Sequence, residues 1–363
     1  MFKTGYILTP WSDLVWFLGL PFVAIAAAFA AQTWMTAVVL GAVTLWVTFP
    51  HHFATWLRTF GFTEDWRRFR DQLIIGPLVI LGVVFLCIWK QQLMTLAALT
   101  ALWDHQHSLM QQHGFARIYD FKARTGAPST GRWDLALNWV LYGNLLVTAP
   151  LYTQFWVREA YRFDWQVALQ TVRWVHQASW VATGLFLGAY AVHVARHLAA
   201  GHAVNPFKYA FIGASYFLWY FCSWQTTSLL VLGVAHRLMH GLQYIVMVYW
   251  YLRRKADHQR SEMNPLLYQM VRPGHVLVFI GMCAVYIVAY QLLAGRSFEY
   301  LGFGVVNFMT PYRAVPEHGL GPMSYQQAWE LFVLVVTSSV GLIHYYFDSF
   351  IWKVRDTKVQ AGL

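Results

Sequence analysis

The chemistry available to this chain is dominated by imidazoles. His236 and His240 stand four apart in "AHRLMHGLQY", and Gln243 and Tyr244 continue the stripe. Residues at that spacing share one face of a helix. His344 and Asp348 repeat the spacing in "GLIHYYFDSF". His51 and His52 are adjacent in "FPHHFATWLRTF", so on a helix they diverge by about 100°. Pro50, just before them, is expected to kink the helix and turn both inward. The stretch "HQHSLMQQHG" adds His105, His107 and His113. His107 and His113 are separated by about 240° of helical angle, so the stretch should supply one or two ligands. His113 is favoured, because Gln106 and Asp120 align along its face.

Neutral imidazole is a good ligand for iron, zinc and copper, and it costs less to bury than a charged group. The candidate metal ligands are therefore His51, His52, His107, His113, His236, His240, His344, Asp120 and Asp348. Tyr244 and Tyr345 sit beside them as candidate catalytic hydrogen-bond or proton donors. Asp104 and Asp120 are also placed to orient ligating imidazoles through the second ring nitrogen.

The elements that must position these groups are membrane-grade. Of 363 residues, 58% are hydrophobic and only 12% charged, about half the charged share of a soluble domain. Ten apolar segments are expected to span a bilayer, at roughly 12–32, 35–58, 73–91, 93–115, 135–153, 174–198, 207–224, 226–251, 273–294 and 326–351. The fold class is thus an all-α polytopic transmembrane bundle, read as one integral-membrane domain over 1–363. The first apolar run carries no cleavage signal and is expected to be retained. Lys and Arg divide nineteen to six between the two sets of connecting segments. That bias places both termini in the cytoplasm and the 295–325 segment outside, as a candidate lid. The net charge of +10 follows from the same bias, so no nucleic-acid partner is implied.

The candidate histidines all fall on even-numbered spans, toward their cytoplasmic ends. His52 lies six residues before Arg58 and His344 nine before Lys353, roughly 9 and 14 Å of helix. Imidazoles from several spans at overlapping depth point to one shared metal site. No H-E-x-x-H, P-loop, G-x-S-x-G or C-x-x-C-H motif is present, which argues against zincin, nucleotide, nucleophile-elbow and c-type haem chemistry. Cys87, Cys222 and Cys283 lie in apolar runs and suggest neither disulfides nor a thiolate site.

Histidine clusters at the cytoplasmic ends of spans resemble those of the membrane-bound histidine-box enzymes: fatty-acid desaturases, alkane and sterol hydroxylases, and Brp/Blh-type carotenoid oxygenases. "HRLMH" has the HxxxH form, "PHH" a paired HH, and "QQHG" ends a Gln-His step. The two HxxHH boxes of the desaturases are absent. The resemblance covers a style of site, not the chain. It implies non-haem iron, mononuclear or dinuclear, acting with O₂ on an acyl, isoprenoid or hydrocarbon chain in the lipid phase. It also implies a separate electron-transfer partner, since no redox domain is fused. The expected location is the bacterial inner membrane, among membrane lipids, with the site toward the cytoplasm. Zinc, copper or haem are the alternative cofactors. A haem-binding or metal-transporting protein is the alternative function, with His193, His197 or His113 as axial ligands.

Overall fold

The computed structural model describes residues 1–34, 36–293 and 325–363, and the candidate lid segment lies outside them. The described residues are helical, with two isolated bridges and no strand. Two compact units emerge. The first comprises Met1–Thr36 and Leu109–Met239, the second Ala37–Ser108 and His240–Leu363. The helices Leu93–Ala123 and Leu229–His258 carry the chain from one unit into the other.

Six described helices are long and apolar enough to cross a membrane, and a seventh span arises if the bent pair Thr130–Thr148 and Pro150–Tyr161 counts as one. This is compatible with an integral membrane protein. Along Thr63–Trp89 the residues Ile74, Ile75, Leu78, Val79, Val83 and Leu86 are exposed, an apolar stripe suited to lipid. Three of the ten expected spans fall on helices outside this set. The segment 93–115 lies in Leu93–Ala123, whose histidines, glutamines, Asp104, Arg117, Asp120 and Lys122 dilute its apolar character. The segment 207–224 lies in Pro206–Gln225, where ten residues including Lys208 are buried in protein. The segment 35–58 is split among three shorter helices.

In the first unit, polar groups organise the helix ends. The Asp13 carboxylate accepts from the backbone N–H of Ile7 and Leu8 at 2.8 and 2.9 Å. Asn205 caps Pro206–Gln225 by accepting from Phe207 N–H at 3.1 Å and donates to the carbonyls of Gly5 and Tyr119. Lys208 reaches Asp120 at 3.0 Å and Asp134 at 3.1 Å, and Arg117 reaches the same two carboxylates. Tyr190 donates to Asp134 at 2.6 Å. This clasp joins three helices by charge pairing and a fourth through the Tyr190 hydrogen bond. Removing one partner from such a buried set leaves an uncompensated charge, which is why it persists together.

In the second unit, Tyr325–Ile351 packs along Thr63–Trp89. The core there includes Ile80, Val84, Ile88, Leu331, Val335 and Leu342. At Pro50, where a kink is expected, the helix changes type. A π-helical turn, Thr44–Thr48, runs directly into Phe49–Phe60, with Pro50 in the first turn of the latter. Proline has no N–H to return to the preceding turn, and a widened π turn accommodates that loss. Gly241 lets this segment approach closely, because a Cβ there would stand 2.6 Å from Val47 Cγ1. At the polar end, Arg68 pairs with Asp356 and holds that carboxyl below its ordinary range by hydrogen bonding.

Candidate metal centre

Three helices of the second unit carry the site in stripes of four-residue spacing. Phe49–Phe60 supplies His51 and Thr55, Leu229–His258 supplies His240 and Tyr244, and Tyr325–Ile351 supplies His344 and Asp348. Trp352 extends the last stripe by four more residues. His107 comes from a fourth helix, Leu93–Ala123.

His51, His107, His344 and Asp348 each present one ligand atom, and these atoms lie within 4.8 Å of one another. Among the described residues this is the one such group. His51 Nε2 and His344 Nε2 are 2.7 Å apart. Asp348 Oδ2 is 3.9 Å from both His107 Nε2 and His344 Nε2. His344 is fully buried and His51 is 2% exposed. Two more imidazoles flank the group. The His240 ring centroid is 4.8 Å from that of His51 and 5.1 Å from that of His107. The His52 centroid is 4.8 Å from that of His344.

The surrounding hydrogen bonds order the ligands. Trp352 Nε1–H can only donate, and it points to the Tyr244 hydroxyl at 3.0 Å. Tyr244 donates in turn to Asp348 Oδ1 at 2.6 Å. Thr55 Oγ1 lies 2.7 Å from His344 Nδ1, 2.7 Å from the Tyr244 hydroxyl and 3.3 Å from Asp348 Oδ1. The assignment that satisfies all these atoms has His344 Nδ1–H donating to Thr55, and Thr55 donating onward. His344 then carries its lone pair on Nε2, facing His51, while Asp348 Oδ2 faces the imidazoles. Two imidazole nitrogens 2.7 Å apart must share a proton or a cation. The donor set of three imidazoles and one carboxylate, with His344 Nδ1 and Asp348 Oδ1 engaged by their neighbours, fits a transition-metal ion.

The remaining sequence candidates are placed as follows. Tyr244 hydrogen-bonds a ligand, as expected of a group beside the centre. Tyr345 instead stacks on His107, with centroids 4.8 Å apart, and donates to Asp104 at 2.9 Å. It therefore holds the His107 ring rather than facing the ligand atoms. The favoured His113 does not join the group. It lies in the first unit with Asp120, and Asp120 is occupied by Lys208 and Arg117. His236 also belongs to the first unit, where its Nδ1 accepts from Trp219 Nε1 at 2.9 Å. The pair at matched spacing is thus divided, and only His240 stands beside the centre. Thr55 and Trp352 were not candidates from sequence. Their signal was available, since each follows a ligand by four residues, Thr55 on the same helix and Trp352 one residue past the helix end.

No family model, curated protein or solved structure matches the chain.

Replacing Tyr244 with Phe removes the donor to Asp348 and the acceptor of Trp352 while keeping the ring. A loss of about 10–100-fold in metal affinity is expected. Competition with a coloured chelator measures it, and unchanged affinity would show that Asp348 needs no such support.

Proposed function

We propose that this chain is an integral-membrane, metal-dependent oxidoreductase that uses non-haem iron and O₂ on a lipid-phase substrate with an acyl, isoprenoid or hydrocarbon chain. The observation that carries the reading is the buried convergence of His51, His107, His344 and Asp348 on helices of a largely apolar chain. A metal with three imidazoles and one carboxylate retains open positions, and iron so bound supplies O₂ chemistry. The chain's own residues do the rest of the work. Thr55 and Tyr244 hold His344 and Asp348 in the ligating state, Tyr345 holds His107, and burial keeps water from the centre. His52 and His240 are placed to bind a second ion or to hold a proton beside the first.

The Lys and Arg bias supports both termini, and the polar end of the second unit, on the cytoplasmic side of a bacterial inner membrane. A reductive reaction there takes its electrons from a separate partner. The test is the metal content of protein purified from iron-replete cells. Iron near one or two ions per chain supports the reading, and so does a change in its spectrum on exposure to O₂. Protein that takes up no iron, or holds only zinc, would sink it.

A further inference from the structure

A second group of imidazoles lies in the first unit, apart from all the residues assigned above. His193 and His197 stand four apart near the end of the helix Leu169–Ala199, with ring centroids 4.4 Å apart. The helix then closes on Gly201, whose φ of +85° places it in the left-handed region that glycine tolerates. The N–H of His202 returns to the carbonyl of His197 at 2.9 Å, and the N–H of Gly201 to that of Leu198 at 3.1 Å. This six-to-one closure is the Schellman arrangement. It folds His202 back over the helix end, so that its ring centroid lies 5.4 Å from that of His197.

The three imidazoles line one small recess, together with Tyr190, Tyr209 and Thr130. Its free volume of about 10 Å³ is that of a single water-sized occupant, far too little for a porphyrin. Two observations show that the recess is built to receive something. His193 Nε2 is buried and has no hydrogen-bond partner in the protein, an arrangement that native structures avoid unless an ion or water takes the atom. The His193 ring is also held in place, stacked on Trp133 with centroids 4.6 Å apart and planes 21° apart. His197 Nε2 meets only a neutral hydroxyl, Ser129 Oγ at 3.2 Å. Behind the recess, Tyr190 donates to the buried Asp134, which provides a carboxylate one hydrogen bond away.

We propose that His193, His197 and His202 form a second metal site, for a divalent transition-metal ion preferred by imidazole, with Zn(II) as the representative; their ligand atoms are not gathered as closely as those of the first centre, so His202 must rotate to complete it. Two imidazoles at four-residue spacing make a helical chelate. His202, on a turn rather than a helix, has the freedom to close on the ion as third ligand. An ion there would tie the turn at His202 to the end of Leu169–Ala199, beside the 125–130 turn, which reaches the same segment through the Gly126 N–H bond to the Ala203 carbonyl at 2.9 Å. The role is structural, and it does not depend on the iron reading of the other unit.

The test uses the full chain in detergent with the first centre disabled by His51→Ala and His344→Ala. Zn(II) is titrated into this background by calorimetry, and Co(II) by absorbance. One ion per chain is expected, with visible Co(II) bands. Adding His193→Ala and His197→Ala should abolish that ion, and His202→Asn alone should weaken it by tenfold or more. Background protein that binds no Zn(II), or binds it unchanged in the His202→Asn and double variants, would overturn the proposal. His202→Asn decides the matter if the double variant fails to fold, because it alters only a turn residue. Failure of iron binding at the first centre would leave this titration unaffected, so the two readings fail separately.

Discussion

His344→Ala protein is expected to retain less than about a tenth of the iron held by the wild type. The His344 Nε2 sits 2.7 Å from His51 Nε2 and 3.9 Å from Asp348 Oδ2, so it is central to the group. Its other nitrogen anchors on Thr55 at 2.7 Å. The substitution thus removes a ligand and strands the hydroxyl that orders its neighbours. Losing an orienting group alone costs about 10–100-fold in affinity, and losing a ligand should cost more. The matched control is His236→Ala. Its imidazole accepts from Trp219 and lies in the other unit, so that variant should keep its metal. Elemental analysis after equilibrium dialysis reads both. Iron retained in His344→Ala, or lost equally in His236→Ala, would show that the ligand group is wrongly drawn.

How much of this was legible beforehand is best seen at the stretch from His105 to Gly114. Composition and helical period were enough to place it on a long helix and to limit it to one or two ligands. They could not choose between His107 and His113, because helical angle is a relative quantity. It says which residues oppose each other, not which side meets a neighbouring helix. The helix passes from one compact unit to the other within this stretch, and His107 and His113 fall on opposite sides of that passage. The same happens on Leu229–His258 between Met239 and His240, which separates His236 from its partner. The distance to basic residues gave His52 and His344 similar positions along their helices, and their rings lie 4.8 Å apart. Lateral position was not readable, since it depends on packing between segments hundreds of residues apart. The spacing of four served at His344 and Asp348 and failed at His236 and His240, which fall in different units. It links His51 to Thr55, His240 to Tyr244 and His344 to Asp348, and all six of these residues stand at the centre. Asp120 aligned with His113 by the same arithmetic. Its chemistry was decided instead by Lys208, whose position on another helix no local pattern reports.

Asp65→Ala is expected to destabilise the second unit by about 3–5 kcal/mol, the cost of removing one partner from a buried ion pair. Asp65 Oδ2 receives Arg58 Nη1 at 2.6 Å and Lys255 Nζ at 2.8 Å, and all three side chains are at most 2% exposed. The substitution leaves two buried cations facing each other without their shared anion. Cation–π contacts soften this only in part. Arg58 stands 4.6 Å from the Tyr251 ring and Lys255 4.2 Å from that of Phe62, but rings carry no net charge to neutralise the pair. Replacing all three with apolar residues, as in Arg58→Met, Asp65→Leu and Lys255→Met together, should restore much of the stability, because neither desolvation nor repulsion then remains. Denaturant unfolding in detergent compares the single and triple variants. The Arg58–Asp65–Lys255 cluster also bears on the metal centre. Arg58 lies over Trp352 at 5.3 Å, and the Trp352 indole N–H donates to the Tyr244 hydroxyl that holds Asp348. Asp65→Ala should therefore loosen metal binding as well as the fold, and the triple variant should recover stability more fully than affinity, since it also removes the guanidinium beside Trp352. Equal recovery of both would mean that Trp352 is positioned by packing alone.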